Sequence, residues 1–384
     1  MNFDLDDESR EIVALARRVA IERLRPAAFE RRHTYAPPTE NLKLLGELGL
    51  LGLALPEEYG GGGRSELDAV LVIEQLAWGC PVTGARAVMA MTGPCTFIAK
   101  FGTEEQKKRY IPPVCAGEER WSISLTEPEA GSALTDMATR AEIVGDTCVI
   151  NGGKTFCGAA ADSDHILVFV RFGPGVSGIG AVIVHRDTPG LTLSPRHEFM
   201  SGSSWYELFF DSATVPASDV LFDGDGMRKL LSAYSLERTA TGALCLGIAQ
   251  IAMDMSIEYA ETRRQFGRPI SDFQMIQDKL ARMYIKLESA RLLTYRAIAR
   301  SANGLPSRID SSAAKVAATV AATEVCHEAL QIHGAAGMTR EMPLEWLYRV
   351  VRPYQVAGGT TEIHLSMIAA ELVGRRFDHR HPQS

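Results

Sequence analysis

The chain has 384 residues, 46% of them hydrophobic and 23% charged, and a formal net charge of −7 at pH 7. That length exceeds one ordinary core and points to two or three packed units, while the acidic balance excludes a dedicated nucleic-acid binder. Seven scattered cysteines, odd in number and without CxxC spacing, exclude a disulfide framework or zinc site and fit reduced thiols in a cytosol.

The first residues, MNFDLDDESREIV, are acidic where a secretory signal would be basic, and they lack an apolar stretch. No run reads as long enough to span a membrane, so a soluble, cytoplasmic protein is expected. The one dense basic stretch, GRRFDHRHPQS, reads as a solvated tail. Residues 1–118 read as helices. DDESREIVALARRVAIERL carries apolar residues at helical spacing behind an acidic start, which suits the helix dipole, and SELDAVLVIEQLAWGC repeats the pattern behind a Ser N-cap. Between them LPEEYGGGG (55–63) is a loop, because consecutive glycines do not hold a helix.

From 119 to 224 the period shortens. WSISLTE, ATRAEIV, TCVINGG, HILVFVRF, IGAVIVHR and YELFFDSATV are β-branched or aromatic-rich and punctuated by Gly, Asp and Pro, as expected for one antiparallel β domain. After FDGDG the helical period returns over 226–263, 272–302 and 309–333, predicting an antiparallel bundle through 225–384. Ala and Gly in TGALCLGIAQIAMD predict close helix–helix approach. The whole reads as an α+β chain in α–β–α order.

Four short motifs stand out. TEPEAGS (126–132) is a Pro-fixed turn whose backbone N–H groups and small hydroxyls are free to face a ligand; the alternative is an ordinary loop. RRQFGRPI (263–270) ends a long helix on a basic cluster, either a charged C-cap or an Arg reaching a phosphate. QIHGAAGMT (331–339) is a helix end followed by a small-residue turn. AGGTTEIH (357–364) is a glycine turn feeding a helix, where an anion cradle, an acid/base site and a plain hinge all remain open.

Together with FGTEEQKKRYIPPVCAGEERWSISLTEPEAGS, and in this order and spacing, these segments resemble the acyl-CoA dehydrogenase family over essentially the whole chain. The resemblance implies an N-terminal helical domain (1–118), a middle β-barrel-like domain (119–224) and a C-terminal four-helix bundle (225–384). It also implies FAD and a homo-oligomer, tetramer or dimer. Carried over position by position, Leu125 and Thr126 face the flavin ring, with Phe156 and Gly158 beside it. Ser132 lies between cofactor and pantetheine. Arg263, Phe266 and Gln274 reach the FAD of a neighbouring subunit, and Gln331, His333 and Gly334 form the adenine-side turn. Thr360 and Glu362 hold the phosphate and ribityl region.

The implied reaction is α,β-desaturation of an acyl thioester, on CoA or an acyl-carrier protein, with electrons passing to an electron-transfer flavoprotein. A carboxylate takes the α proton while the β hydrogen leaves as hydride to flavin N5. Many relatives place that carboxylate in the glycine turn as Tyr-Glu-Gly-Thr. Here the aligned position is Gly358, which keeps only a backbone N–H, in relatives the donor to the thioester carbonyl. A minority, resembling isovaleryl-CoA and long-chain dehydrogenases, carries the glutamate as Leu-Glu-Arg on the first long bundle helix, and SLERTATG (235–242) supplies Glu237 followed by Arg238. Against the bland alternative of an exposed Glu-Arg pair, the vacancy at 358 assigns the base to Glu237, with Arg238 and Gly359 on the substrate side. Two departures are expected to matter. Gly158 lacks the hydroxyl that relatives direct at flavin N5, and Ser235 replaces an Asp that commonly binds pantetheine. Desulfinase, enoyl-thioester reductase and flavin oxidase or monooxygenase chemistry remain alternatives on the same fold, as does an idle flavin-binding subunit. The desulfinase-like branch carries Gln where Glu237 stands.

Overall fold

The computed structural model describes residues 5–34, 36–375 and 377. Most of the basic tail lies outside the described residues. Helices come first: α1 (Asp7–Val19), α2 (Arg25–Ala28), α3 (Arg31–Thr34), α4 (Thr39–Glu47), α5 (Glu66–Gly79), α6 (Pro81–Thr92), α7 (Pro94–Phe101) and α8 (Glu104–Cys115). Their starts follow local chemistry. The Asp6 carboxylate accepts from Ser9 N–H at the head of α1, Ser65 caps α5, and Thr103 with Gln106 forms a capping box on α8.

The sheet comprises β1 (Trp121–Ser124), β2 (Arg140–Val144), β3 (Thr147–Gly158), β4 (His165–Arg171), β5 (Ile179–His185), β6 (Leu191–Leu193), β7 (His197–Glu198), β8 (Ser204–Pro216) and β9 (Val220–Phe222). Its order is β6-β8-β3-β2-β4-β5-β9, with β1 on β4 and β7 on β8. This corrects the expectation of a purely antiparallel domain, because β1 pairs with β4, and β2 with β4, in parallel. The β2–β3 hairpin supplies the long crossover that the parallel β1–β4 pairing requires. β4 and β5 are buried on both faces, which explains their continuous apolar sequences.

The C-terminal part holds α9 (Gly226–Thr262), the small β10–β11 hairpin (Arg264–Gln265, Arg268–Pro269), α10 (Gln274–Ala299), α11 (Arg308–His333), α12 (Leu344–Val351) and α13 (Thr361–Leu372). α11 packs against α9, α10 and α13, and α9 also packs on α5 and α6. One hydrophobic core therefore joins the N-terminal helices to the bundle. The close approach expected from Ala and Gly is real: a Cβ at Gly247 would fall 2.3 Å from Glu74 O of α5. Contrary to the sequence reading, α9 does contain a window long and apolar enough to cross a membrane. That window is 78% buried inside the protein, as a central core helix must be. All seven cysteines are free and buried.

Candidate active site

Ahead of α13 the chain closes on Gly358 (φ +70°) and Gly359 (φ +105°), backbone that residues with a Cβ adopt only under strain. Both ends of this turn are fastened. Gln355 Nε2 donates to Thr319 O at 3.3 Å and Thr323 Oγ1 at 2.9 Å on α11, and Thr360 Oγ1 accepts from Ile363 N–H at the head of α13. The carbonyls are fastened too. Gly358 O accepts from Arg238 Nε at 3.0 Å and faces His364 Nε2 at 3.3 Å, while Gly359 O accepts from Lys315 Nζ. No backbone carbonyl among the described residues accepts from the Gly358 or Gly359 N–H, so both remain available as donors.

Glu237 reaches this turn from α9. A Cβ placed on Gly358 would stand 3.5 Å from Glu237 Oε2 and 3.7 Å from Lys315 Cε. Oε1 accepts from Thr241 Oγ1 at 3.2 Å, one helical turn on, while Oε2 is buried with no hydrogen-bond partner. Burial raises the Glu237 carboxyl above the usual carboxylate range, opposed by Lys315, Arg238 and the Thr241 hydroxyl. The same desolvation brings the Lys315 ammonium down to about 8 and His364 to about 3. His364 is therefore neutral. With Ser312 Oγ 3.1 Å from its Nδ1, the tautomer that fits both contacts donates from Nε2 to Gly358 O.

A second set of residues converges on the sheet. Lys154 Nζ donates to Leu125 O at 3.1 Å and to Glu127 Oε1 at 2.7 Å, and Thr155 N–H donates to Thr126 O at 2.9 Å. This buried ion pair holds the 125–127 segment against β3. Just beyond it Phe156 (φ +55°) is exposed, its ring 4.6 Å from that of Trp205. Gly158 pairs with Trp205 across the strands, and a Cβ there would meet nothing within 4 Å. An aromatic step beside open space suits a planar ring. Ser132 is exposed on the loop between β1 and β2.

Arg263, Phe266, Gln274, Gln331 and Gly334 are exposed at the far end of the bundle, Phe266 93% so. Arg263 follows Glu237 by 26 positions along α9, about 39 Å at the helical rise. A single chain therefore does not bring this group to the glycine turn. The His333 ring is not presented to a ligand: it stacks on Tyr259 at 4.2 Å, and its Nδ1 lies 2.8 Å from Ala329 O. Ser235, expected on the substrate side, is buried and donates its hydroxyl to Ser232 O at 2.7 Å. Arg238 is buried against the turn, so what it orients is backbone. Glu362 is exposed in the first turn of α13.

Sequence reading missed Lys315, His364, Thr241 and the Lys154–Glu127 pair. One signal was present for Lys315. It is a lone charge inside SSAAKVAATVAAT, on the stripe of Ser311, Ala314, Ala318 and Ala322 that faces the core.

A desolvated carboxylate beside a glycine turn with free amides, and an aromatic step on an adjoining sheet, define an enzyme site equipped for proton abstraction next to a bound planar cofactor. Family models of the acyl-CoA dehydrogenase N-terminal, middle and C-terminal domains match residues 6–118, 122–213 and 224–373. The chain belongs to the acyl-CoA dehydrogenase family. It is 38% identical to a 3-sulfinopropanoyl-CoA desulfinase of Paraburkholderia xenovorans, over 98% of this chain and 99% of that protein. Among solved structures it is similar to butyryl-CoA dehydrogenase from Megasphaera elsdenii (TM-score 0.92, 32% identity, 97% of this chain and 100% of that one). It is also similar to a glutaryl-CoA dehydrogenase from Mycobacterium smegmatis in complex with FADH2 (TM-score 0.91, 28% identity, 98% and 97% covered).

Proposed function

We propose that this protein is a FAD-dependent dehydrogenase that desaturates an acyl thioester between its α and β carbons, with Glu237 as the base. The observation that carries this is the position of Glu237 Oε2, buried, unpartnered and 3.5 Å from where a side chain at 358 would begin. Glu237 takes the α proton, and the electron pair left on the α carbon moves toward the thioester oxygen. The Gly358 N–H donates to that oxygen, and the anchored Gly358 carbonyl keeps the turn from rotating as charge develops. Bound FAD supplies the acceptor for the β hydrogen. Leu125, Thr126, Phe156, Gly158, Thr360 and Glu362 would line it from one subunit. Arg263, Phe266, Gln274, Gln331 and Gly334 would complete the site from a neighbour, which makes the active form a homo-oligomer, tetramer or dimer. Electrons then pass to an electron-transfer flavoprotein. The thioester is carried by CoA or by a carrier protein. The test is anaerobic mixing with a panel of acyl-CoAs while flavin absorbance is followed. Wild type is expected to bleach and Glu237→Gln to do so at least about a hundredfold more slowly; equal rates would remove Glu237 from the chemistry.

Desulfination is the second reading, favoured by the desulfinase relative and by Arg86. This largely buried cation on α6 lies 3.6 Å from Asp162, just past the Phe156–Gly158 segment. Such a cation suits an acyl group with an anionic far end. Sulfite release from a sulfinate-bearing acyl-CoA would favour it; bleaching by saturated acyl-CoAs without sulfite would favour dehydrogenation.

A further inference from the structure

Lys315 is a buried ammonium that none of the roles above requires. It sits on α11, 1% exposed, and its one hydrogen bond among the described residues goes to Gly359 O. Its Cε and the Glu237 carboxylate approach the same point from different helices, 3.7 and 3.5 Å from a Cβ at Gly358. We propose that Lys315 is a positioning residue for the proton-abstraction step: it clamps the carbonyl of the glycine turn and, as a cation beside that turn, keeps Glu237 ionised and aimed. This rests on Glu237 being the base.

The two tasks come from one atom. Nζ fixes the 359–360 peptide plane through Gly359 O, so the turn that carries the Gly358 donor is held from α11 as well as from α9. The charge meanwhile acts on Glu237 through space, since the ammonium bonds to the turn and not to the carboxylate. Other groups face Glu237 as well. Tyr234, Arg238 and Thr241 come from α9, and Tyr354 from the segment before the turn. Arg238 is itself held to Gly358 O, so Lys315 is the cation that α11 contributes. Facing Lys315 are Glu237, Arg238, Cys245 and His364, and Glu237 alone of these is a carboxylate. A buried lysine with a single backbone acceptor is otherwise a poor choice for a core position, because desolvation penalises its charge. A nearby carboxylate that must stay ionised offsets that penalty.

The experiment compares wild type, Lys315→Met, Lys315→Arg and Lys315→Gln as FAD-loaded enzymes. Two readouts are taken: the pH profile of flavin reduction, and an infrared titration of the Glu237 carboxyl obtained by difference against Glu237→Gln. With Lys315 Cε and Glu237 Oε2 at most about 7 Å apart and an effective dielectric near 20, removing the cation should raise the Glu237 titration by about one to two pH units. Lys315→Met is expected to move both the infrared midpoint and the acid limb of the rate upward. The rate constant for reduction should fall at neutral pH while the substrate concentration at half saturation changes little. Lys315→Arg is expected to restore most of the shift. If Lys315→Met does not fold, Lys315→Gln carries the comparison. An infrared midpoint unchanged in both neutral variants overturns the proposal. If the midpoint moves but Glu237→Gln reduces its flavin at full rate, Lys315 still tunes Glu237 and the assignment of the base is what fails.

Discussion

Moving the base back into the turn should preserve part of the activity. The perturbation is Gly358→Glu combined with Glu237→Ala. A Cβ at 358 meets Glu237 Oε2 at 3.5 Å and Lys315 Cε at 3.7 Å, both ordinary contact distances, and the first disappears in the double variant. The remaining penalty is the backbone, because a residue with a Cβ at φ +70° costs about 1–2 kcal/mol. That lowers stability without preventing folding. Loss of a general base alone should slow the step by about 10² to 10⁴, roughly 3–5 kcal/mol of barrier. The new carboxylate starts within 4 Å of where the old one ended, so the double variant should recover at least about tenfold over Glu237→Ala and change its acyl preference. Anaerobic stopped-flow bleaching reads the rate, and flavin content with thermal unfolding checks integrity. A double variant that holds flavin, melts cooperatively and is no faster than Glu237→Ala would refute a shared site.

Three further outcomes follow from the same geometry. His364, held neutral at about 3 against 6.5 unfolded, has a lowered folded value; its contribution is intact above pH 6.5 and is lost as pH falls toward 3. By pH 4 the loss is about 3 kcal/mol, so denaturant titrations should show wild type losing more stability between pH 7 and 4 than His364→Asn does. Lys154→Met removes the counter-charge of the buried Glu127 carboxylate, which keeps the Ala138 and Thr139 N–H donors, and should destabilise by about 3 kcal/mol, with part of that regained in Lys154→Met/Glu127→Gln, measured by thermal unfolding. Gly158→Thr has open space for its side chain and should fold within about 0.5 kcal/mol of wild type, yet shift the flavin reduction potential measured by dye equilibration.

The helical period made the bundle legible: α9 and α11 begin and end within a residue of where apolar spacing placed them. The mixed sheet was not legible, because the β1–β4 pairing joins residues some forty positions apart and leaves no local trace. Gly358 and Glu237 could be paired from sequence only through family resemblance, since nothing in SLERTATG says which way its carboxylate points. Composition hid Lys315 and His364 for a related reason. A single charge in an Ala-rich helix reads equally as solvated or buried, and only the packing of α11 against α9 and α13 decides. Ser235 and His333 show the converse. Family resemblance placed both at ligand positions, while the Ser235 hydroxyl bonds within α9 and the His333 ring packs between Ala329 of α11 and Tyr259 of α9.

Whether Glu237 takes the α proton is tested most directly by hydrogen exchange. The FAD-loaded enzyme is incubated in deuterium oxide with a thioester analogue that has an acidic α C–H but cannot be desaturated, and α-deuterium is followed by NMR. Wild type should exchange this proton with an acid limb above the ordinary carboxylate range, and Glu237→Gln should exchange it at least about a hundredfold more slowly. Undiminished exchange in Glu237→Gln, with analogue binding intact, would contradict the assignment of the base.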